Sequence, residues 1–227
     1  MKKSVWLLDA DMTLFDFEKA ERFALREACA RFGIEISVKE SALYHEINEA
    51  LWRKLERGET TQAALQIQRF ETFADALGLS ADPHALAEAF VVQLGEGCFL
   101  FEQALSLLQN LHARCRVAIV TNGITQVQKR RLQLSGLSPY VDALVVSQEE
   151  GVSKPDPRIV ERALERLGCA DRAQAALVGD SLTSDMAAAR NARVDGIWYN
   201  PKGLPRPADA PHIVAEIRQL HDLMQFV

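Results

Sequence analysis

The sequence predicts an α/β fold: a Rossmann-like open parallel sheet with helices on both faces, plus an inserted all-helical cap. Three observations predict it. Short apolar runs alternate with helical periodicity through residues 98–227, a further run lies at Val5–Leu8, and residues 17–97 have helical periodicity without strand-like runs. Continuous Val, Leu and Ile runs are typical of parallel strands buried on both faces.

Each expected strand stops at, or leads into, a polar segment. In open parallel sheets, ligands bind at the carboxyl ends of the strands, so we expect these polar segments to share one edge and to form a site. The expected strands are Val5–Leu8, 117–120, Ala143–Val146, 175–178 and 197–199.

Helical periodicity occupies the segments between these runs. A helix with an apolar face of Leu105, Leu108 and Leu111 is expected first, then one over residues 123–134 that stops near Gly136. A third, before Gly168, has the spacing Ile159, Ala163 and Leu167. The tail, residues 213–227, is expected to form a short strand and a closing helix.

Residues 17–97 are predicted to form a helical cap inserted into a core of residues 1–16 and 98–227. Asp82 is followed by Pro83, which is the pattern of an N-cap before the first helical residue. Two apolar faces are expected in the same region. They consist of Leu43, Ile47, Ala50 and Leu51, and of Ile67, Phe70, Ala74 and Leu77.

Composition excludes several classes of protein. The net charge of −5 argues against nucleic acid as the main partner. No run of about 18 apolar residues is present, which argues against a membrane protein, and the apolar run after Lys3 is too short for a secretory signal. Four scattered cysteines without a CxxC pair favour reduced thiols in a cytoplasmic protein, although spacing alone leaves a disulfide open. Nothing in the sequence distinguishes a monomer from a homo-oligomer.

Two pairs of acidic residues are the first candidates for chemistry. Asp9 and Asp11 follow the first expected strand, and Asp180 and Asp185 follow another. Taken alone, the first pair fits a turn or a helix cap about as well as a site. A bound Mg²⁺ would tolerate several carboxylates at one sheet edge, because it prefers oxygen ligands.

A candidate anion site accompanies the acids. Thr121 and Asn122 precede an expected helix, where backbone N–H groups and the helix dipole favour a phosphate, although an ordinary N-cap is an equal alternative. Lys154 follows a strand at the same edge, in a loop that Pro155 keeps extended. A loop lysine is usually only solvated, but here it can neutralise a phosphate.

The segments "DADMT", "TNG", "KPDP" and "GDSLTSD" together resemble the four ordered motifs of the haloacid dehalogenase-like phosphohydrolase superfamily. The ordered set is specific, whereas no single motif is. Met12 departs from the resemblance, since many relatives have glycine there. We expect methionine to be tolerated if the turn needs no positive φ.

The resemblance implies a role for each motif residue. Asp9 would be the nucleophile that forms an aspartyl-phosphate, and Asp11 the acid and then the base. Mg²⁺ would be bound by Asp9, the Asp11 carbonyl, Asp180 and Asp185, with Asp185 binding directly or through water. The phosphate would be bound by Thr121, the Asn122 N–H and Lys154.

The substrate is expected to depend on the cap. A cap directly after the first motif indicates the helical-cap branch, and "EEGVSKPDPRI" with the cap segment "LWRKLERGETTQAALQIQRFETFADALGL" is similar to bacterial pyrimidine 5′-nucleotidases of the superfamily. That resemblance implies hydrolysis of small nucleoside monophosphates such as UMP, dUMP or dTMP. Core packing is the favoured role of the cap aromatics, Trp52, Phe70 and Phe73, and a solvated position is the default for Gln68 and Arg69.

Two alternatives compete with this hypothesis. One is another enzyme of the same fold, such as a phosphoglycolate-type or sugar-phosphate phosphatase, a phosphomutase or a dehalogenase. The dehalogenase is the weakest, since it needs no metal and would leave Asp11, Asp180 and Asp185 unexplained. The other is a non-catalytic phosphate-binding regulatory module, against which the intact pair Asp9 and Asp11 argues.

Overall fold

The computed structural model describes residues 2–211 and 213–227, and the chain divides into two compact units. The sheet unit comprises the chain up to Phe17 together with Phe99–Val227, and the helical unit comprises Glu18–Cys98. Both junctions lie one residue later than the sequence-based boundaries of the core and cap.

Helices are present in both units. Within the described residues, the helices of the first half are α1 (Phe17–Ala30), α2 (Val38–Glu56), α3 (Gln62–Leu77), α4 (Pro83–Glu96) and α5 (Ala104–His112). The α-helices of the second half are α6 (Thr125–Leu134), α7 (Ser147–Glu150), α8 (Pro157–Arg166) and α9 (Ala187–Ala192). No helix within residues 2–211 and 213–227 has the length and apolar character that crossing a bilayer requires.

The sheet is entirely parallel, which confirms the predicted fold class. Its order is β3-β2-β1-β4-β5-β6, so chain order reverses direction on either side of β1. The strands are β1 (Val5–Leu8), β2 (Arg116–Thr121), β3 (Ala143–Val146), β4 (Ala175–Gly179), β5 (Asp195–Tyr199) and β6 (Ala215–Ile217).

The reversal of chain order at β1, the switch point of the sheet, determines which strand ends lie side by side. Leu8, the last residue of β1, is in register with Ile119 of β2 and with Val178 of β4. The segments that leave these three strands therefore start side by side at the carboxyl edge, where open α/β sheets bind ligands.

Alternate strand residues build the core of the sheet unit. Leu7, Val120 and Leu177 are fully buried against the apolar faces of α8 and α9. Burying a leucine or valine side chain stabilises the fold by about 1.5–3 kcal/mol, so this layer fixes the strands rigidly beneath their polar ends. Leu105 of α5 is exposed, in contrast to the expected face. The buried residues of this helix are Ala104, Leu107, Leu108 and Leu111.

The helical unit has an aromatic core, and part of this core was predicted from the sequence. Asp82 caps α4 by accepting from the backbone N–H groups of His84 and Ala85, as expected. Phe70 and Phe73 are buried and pack on Tyr44 at centroid distances of 5.1 and 5.4 Å.

Two expectations for the helical unit are wrong. The buried face of α2 consists of Ser41, Tyr44, Asn48 and Leu51, so the apolar pattern that includes Leu43, Ile47 and Ala50 gave the wrong stripe. Arg69 is buried rather than solvated, because Asn48 accepts from it and Phe90 covers its guanidinium.

The remaining expectations concern the tail and the cysteines. The tail forms β6 followed by a closing helix of the 3₁₀ type, Leu220–Phe226. All four cysteines are free thiols.

Candidate active site

The candidate site lies at the carboxyl edge of the sheet, directly beyond β1, β2 and β4. Asp9 follows β1, Thr121 ends β2 and Asp180 follows β4. Lys154 comes from the segment between α7 and α8, and Asp185 from the turn after β4. The fold thus gathers residues that are far apart in sequence.

Lys154 is the centre of the site. Its ammonium donates to Asp9 Oδ1, to Asp185 Oδ1 at 2.6 Å and to the Val120 carbonyl at 2.8 Å. An ammonium has three donors, so all of them are used. The side chain is only 2 % exposed, which makes it a fixed positive charge rather than a solvated one.

Asn122 positions the loop that carries Lys154. The Lys154 backbone N–H donates to Asn122 Oδ1 at 2.8 Å, and Asn122 Nδ2 donates to the Lys154 carbonyl at 2.9 Å. Nδ2 also lies 3.4 Å from the Ser184 hydroxyl oxygen. The Asn122 side chain therefore ties the end of β2 to two other parts of the site.

Asp185 is held by an unusual turn. It lies in a single π-helical turn, Leu182–Met186, and its Oδ2 accepts from the Ser181 N–H at 3.0 Å. A Cβ on Gly179 would lie 2.2 Å from Asp185 Oδ2, so only glycine leaves room for this carboxylate. π-helical turns often occur at functional sites, and this one buries Asp185 where its carboxylate accepts from Lys154.

Asp180 is held through its backbone. The indole N–H of Trp198, on β5, donates to the Asp180 carbonyl at 2.8 Å. This bond fixes the main chain at the start of the turn and leaves the Asp180 carboxylate available for another partner.

The carboxylates of Asp9, Asp180 and Asp185 form an acidic cluster with oxygens that all lie within 4.8 Å of one another. Octahedral Mg²⁺ has oxygen ligands at about 2.0–2.1 Å, so its ligand oxygens lie about 2.9–4.2 Å from each other. The cluster is close to that spacing, and its donors are all hard oxygens. The residues therefore fit a Mg²⁺ ion.

Burial makes this cluster electrostatically unfavourable without a cation. Burial raises the pKa of Asp180 to about 7, with the charge of Asp185 adding to the effect. Burial also raises the pKa of Asp9 well above its usual value, although Lys154 opposes the change. Burial alone would lower the pKa of Lys154, but the charges of Asp185 and Asp9 outweigh it and raise that pKa. One lysine thus does not neutralise three acids.

Asp11 lies in a separate environment. Its Oδ2 accepts from Gln128 Nε2 at 2.7 Å, and its Oδ1 accepts from Arg131 Nη1. Its carboxylate does not belong to the acidic cluster, and its side chain is 26 % exposed. The two acids of the first motif therefore have different partners, Lys154 for Asp9 and a helix for Asp11.

The backbone at Met12 differs from the expectation. Met12 has a φ of 63°, in the left-handed region that methionine rarely adopts. The turn is closed by the Met12 N–H, which donates to the Phe15 carbonyl at 2.8 Å, and by the Leu14 N–H, which donates to the Ala10 carbonyl at 2.9 Å. The tight return of the chain after Asp11 imposes the positive φ, so methionine is strained here.

Thr121 is not a helix cap, in contrast to the alternative that its position before a helix suggested. It is the last residue of β2 and is buried, while the N-cap of α6 is Ile124, which makes no side-chain capping bond. The first N–H of α6, that of Thr125, donates instead to Gln148 Oε1 at 2.9 Å.

Sequence reasoning missed the residues that support the motifs. Gln128 and Arg131 contact Asp11, and Gly179 leaves room for Asp185. Gln128 and Arg131 are three residues apart and therefore on one helix face, but polar residues on a helix usually face solvent, so the spacing alone did not mark them.

Comparison with known proteins identifies relatives over almost the whole chain. A family model described as haloacid dehalogenase-like hydrolase matches residues 5–193. The pyrimidine 5′-nucleotidase YjjG of Escherichia coli is 34% identical over 224 residues, which cover 98% of this chain and 97% of that protein. The pyrimidine 5′-nucleotidase PynA of Streptococcus pneumoniae is 32% identical over 205 residues, with coverages of 90% and 86%.

A solved structure agrees with these sequence matches. The putative hydrolase YfnB of Bacillus subtilis, in a crystal form bound to magnesium, has a TM-score of 0.93 at 32% identity. The match covers 99% of this chain and 98% of that one. Both the fold and the order of its elements are therefore shared with a magnesium-binding protein.

Proposed function

The chain belongs to the haloacid dehalogenase-like hydrolases, and we infer its activity from that family. We propose that it is a Mg²⁺-dependent phosphoric monoester hydrolase that acts on pyrimidine nucleoside 5′-monophosphates. It would work on a small molecule in the cytoplasm, through an aspartyl-phosphate intermediate.

One observation carries the proposal. Asp9, Asp180 and Asp185 converge around the buried ammonium of Lys154 at the switch point of the sheet. A carboxylate nucleophile, a fixed positive charge and an oxygen-rich cation site are the groups that phosphoryl transfer through an enzyme aspartate requires. The similarity to two pyrimidine 5′-nucleotidases over nearly the whole chain supports the substrate class.

Asp9 and Asp11 divide the chemistry. A carboxylate oxygen of Asp9 attacks phosphorus, the ester P–O bond breaks, and Asp11 gives its proton to the departing nucleoside oxygen. Asp11 then removes a proton from the water that attacks the aspartyl-phosphate, which releases inorganic phosphate and restores Asp9. Separate surroundings suit separate roles, because Asp9 contacts Lys154 while Asp11 contacts α6.

Three groups would hold the transferring phosphoryl oxygens. They are the Thr121 hydroxyl, the Asn122 backbone N–H and the Lys154 ammonium, which is fixed beside Asp9 and would exchange one of its three present acceptors for a phosphoryl oxygen. Preorganised donors of this kind stabilise charge that develops in the transition state.

The Mg²⁺ ion would be held by Asp9, the backbone carbonyl of Asp11, Asp180 and Asp185, with Asp185 binding directly or through water. When bound, the ion supplies positive charge that offsets the phosphate and the acidic cluster. Trp198 and Ser181 then act by fixing Asp180 and Asp185 in place.

Choice of substrate is assigned to the helical unit, because the motif residues of the sheet unit contact only a phosphate in this mechanism. The aromatic side chains in the core of this unit do not offer a base-stacking surface, since Phe70, Phe73 and Phe90 are fully buried. Specificity would then come from its half-buried and exposed residues, which include the aromatic residues Phe23, Phe32 and Trp52.

A phosphate-release assay tests the proposal. The panel contains UMP, dUMP, dTMP, purine monophosphates, glucose 6-phosphate and phosphoglycolate, each with Mg²⁺ and with a chelator. We expect the highest kcat/KM for the pyrimidine monophosphates and no turnover with the chelator. Asp9→Asn should abolish turnover, while Asp209→Asn, which changes an exposed acid, should leave it intact.

The outcomes separate the alternatives. A preference for phosphoglycolate or a sugar phosphate would replace the nucleotidase assignment by another phosphatase. Near-normal turnover by Asp9→Asn would remove the nucleophile and with it the whole mechanism.

A further inference from the structure

We propose that Gln128 and Arg131 of α6 are positioning residues that hold the Asp11 carboxylate in the orientation needed for both of its proton transfers. The proposal rests on the function proposed above. It adds to the four motifs a fifth part of the site, supplied by one face of α6.

The two contacts fix the plane of the carboxylate. Gln128 Nε2 donates to Asp11 Oδ2 at 2.7 Å, while Arg131 Nη1 donates to Oδ1 and forms an ion pair with it. Each oxygen accepts one bond from α6. An ionised carboxylate has about four lone-pair sites, so each oxygen keeps one site for a transferred proton.

Arg131 is too deeply buried to be a surface residue that meets Asp11 by chance. Its side chain is 0 % exposed, and its guanidinium carbon lies 5.7 Å from the Phe15 ring and 5.9 Å from the Phe17 ring. Both rings belong to the segment that follows Asp11. A buried guanidinium needs a carboxylate partner, and Asp11 is that partner.

The close approach of Gln128 to Gly123 provides independent support. A Cβ on residue 123 would lie 2.4 Å from Gln128 Nε2 and 2.8 Å from Gln128 Cγ. The absence of a side chain at Gly123 therefore opens the path along which Gln128 reaches Asp11. The glycine of the "TNG" segment therefore has a role in placing Gln128, which is separate from anion binding.

A purely structural role is the alternative, in which the pair only anchors α6 to the loop after β1. The two roles differ in the reaction step they affect. Loss of an anchor impairs every step equally, whereas a misplaced Asp11 impairs proton transfer and spares phosphoryl transfer to a good leaving group.

The test compares UMP with para-nitrophenyl phosphate, whose leaving group departs without a proton. In Gln128→Met and Arg131→Met, we expect kcat for UMP to fall about 100-fold with KM little changed, because a misplaced catalytic group costs about that much. With para-nitrophenyl phosphate, we expect a rapid burst of one nitrophenolate per enzyme, then slow turnover as the aspartyl-phosphate accumulates.

Matched variants control for the substitution itself. Gln126→Met and Arg130→Met change exposed residues of the same helix and should leave both rates unchanged. Arg131→Lys keeps a donor and should restore part of the UMP rate, while Gly123→Ala should reproduce the Gln128→Met kinetics by displacing that side chain.

The failures are distinguishable. If wild-type enzyme turns over UMP and the Gln128→Met variant retains wild-type kcat, the positioning role is overturned and the proposed function stands. Equal loss of burst and steady-state turnover in Gln128→Met, whose buried site gains no charge, would also overturn it. If wild-type enzyme neither hydrolyses UMP nor shows phosphoenzyme chemistry, both proposals fall together.

Discussion

In the helical unit a buried arginine, Arg69, is matched by a buried glutamate, Glu21, whereas the sheet unit gathers three carboxylates around the single ammonium of Lys154. The helical network is completed by an amide and an imidazole. Asn48 donates to Glu21 Oε1 at 2.7 Å and accepts from Arg69 Nη1 at 3.3 Å, and His45 Nδ1 lies 2.6 Å from Glu21 Oε2.

The two regions also differ in backbone strain. Among the described residues, the non-glycine positions with positive φ are Met12 and Arg193, and both belong to the sheet unit. Strained backbone and excess buried charge persist where function requires them, since each costs stability. The contrast teaches that buried charge alone does not mark a site; unbalanced buried charge does.

The largest expected effect comes from removing the cation of the unbalanced cluster. Lys154→Met should lower kcat by about 100- to 1000-fold, because a preorganised donor to the phosphoryl group is lost. In the presence of a chelator, it should also lower the free energy of unfolding by about 3–5 kcal/mol, the usual effect of breaking a buried ion pair. Steady-state kinetics and urea denaturation measure the two effects.

The control is Lys129→Met, which removes an exposed lysine that pairs with Glu149 at 3.1 Å. Its stability should change by less than about 1 kcal/mol. If Lys154→Met lost as little stability as Lys129→Met, the buried ion pairs of Lys154 would contribute no more than an exposed ion pair does.

Magnesium should stabilise one unit through the acidic cluster. At about 100 times its Kd, Mg²⁺ should raise the free energy of unfolding of the wild-type protein by about 2.7 kcal/mol, since it binds only the folded site. Tryptophan fluorescence in a Trp52→Phe background reports the sheet unit, which contains Trp6 and Trp198.

The comparison is sharpened by two variants in the same assay. Asp180→Asn should lose most of the Mg²⁺ effect. Arg69→Met should keep the full Mg²⁺ effect. It should lower the stability of the helical unit, followed by far-ultraviolet circular dichroism, by about 1–3 kcal/mol, because Asn48 Oδ1 loses its buried donor. An undiminished Mg²⁺ effect in Asp180→Asn would contradict the assignment of the ion to this cluster.

A smaller effect is expected from the pH dependence of the balanced network. Burial tends to lower the pKa of His45, but the hydrogen bond and charge of Glu21, with Glu49 and Glu18, outweigh it and raise that pKa. Stability from protonated His45 is therefore fully present below its unfolded pKa of about 6.5 and is lost as pH rises through the folded value.

The measurement is the unfolding free energy of wild-type protein and His45→Gln from pH 5 to 9. The wild-type advantage should be at most about 1 kcal/mol, since His45 is half-exposed, and should vanish at the alkaline end. Burial raises the pKa of Glu21, so ionisation of Glu21 lowers the stability of both proteins as pH rises in the acid range. Only the difference in stability between the two proteins therefore tests His45. A difference that does not vary with pH would exclude the ion pair.

The smallest effect concerns strain in the sheet unit. Met12→Gly should raise stability by about 0.5–1 kcal/mol, because relief of the left-handed strain exceeds the added entropy of unfolded glycine. Arg193→Gly, at a φ of 57°, is the matched variant and should behave alike in urea denaturation. A loss of stability in Met12→Gly alone would show that contacts of the methionine side chain outweigh its strain.

The sequence determined the parallel sheet, the helical insertion and the identity of the motif residues. Continuous apolar runs admit few structures other than buried strands, and their polar ends converge at one edge whatever the details of packing. Asp9, Thr121, Lys154 and Asp180 could therefore be assigned to one place from the order of the elements alone.

Only the tertiary structure decided which buried polar residues serve those motifs. Gln128, Arg131 and Arg69 have the composition of a solvated helix face, and their burial depends on partners more than 20 residues away in sequence. The positive φ of Met12 and the space beside Gly123 and Gly179 likewise depend on close approaches between segments. Local periodicity contains no information about such approaches, because it records the preference of a segment for burial and not the partner that it meets there.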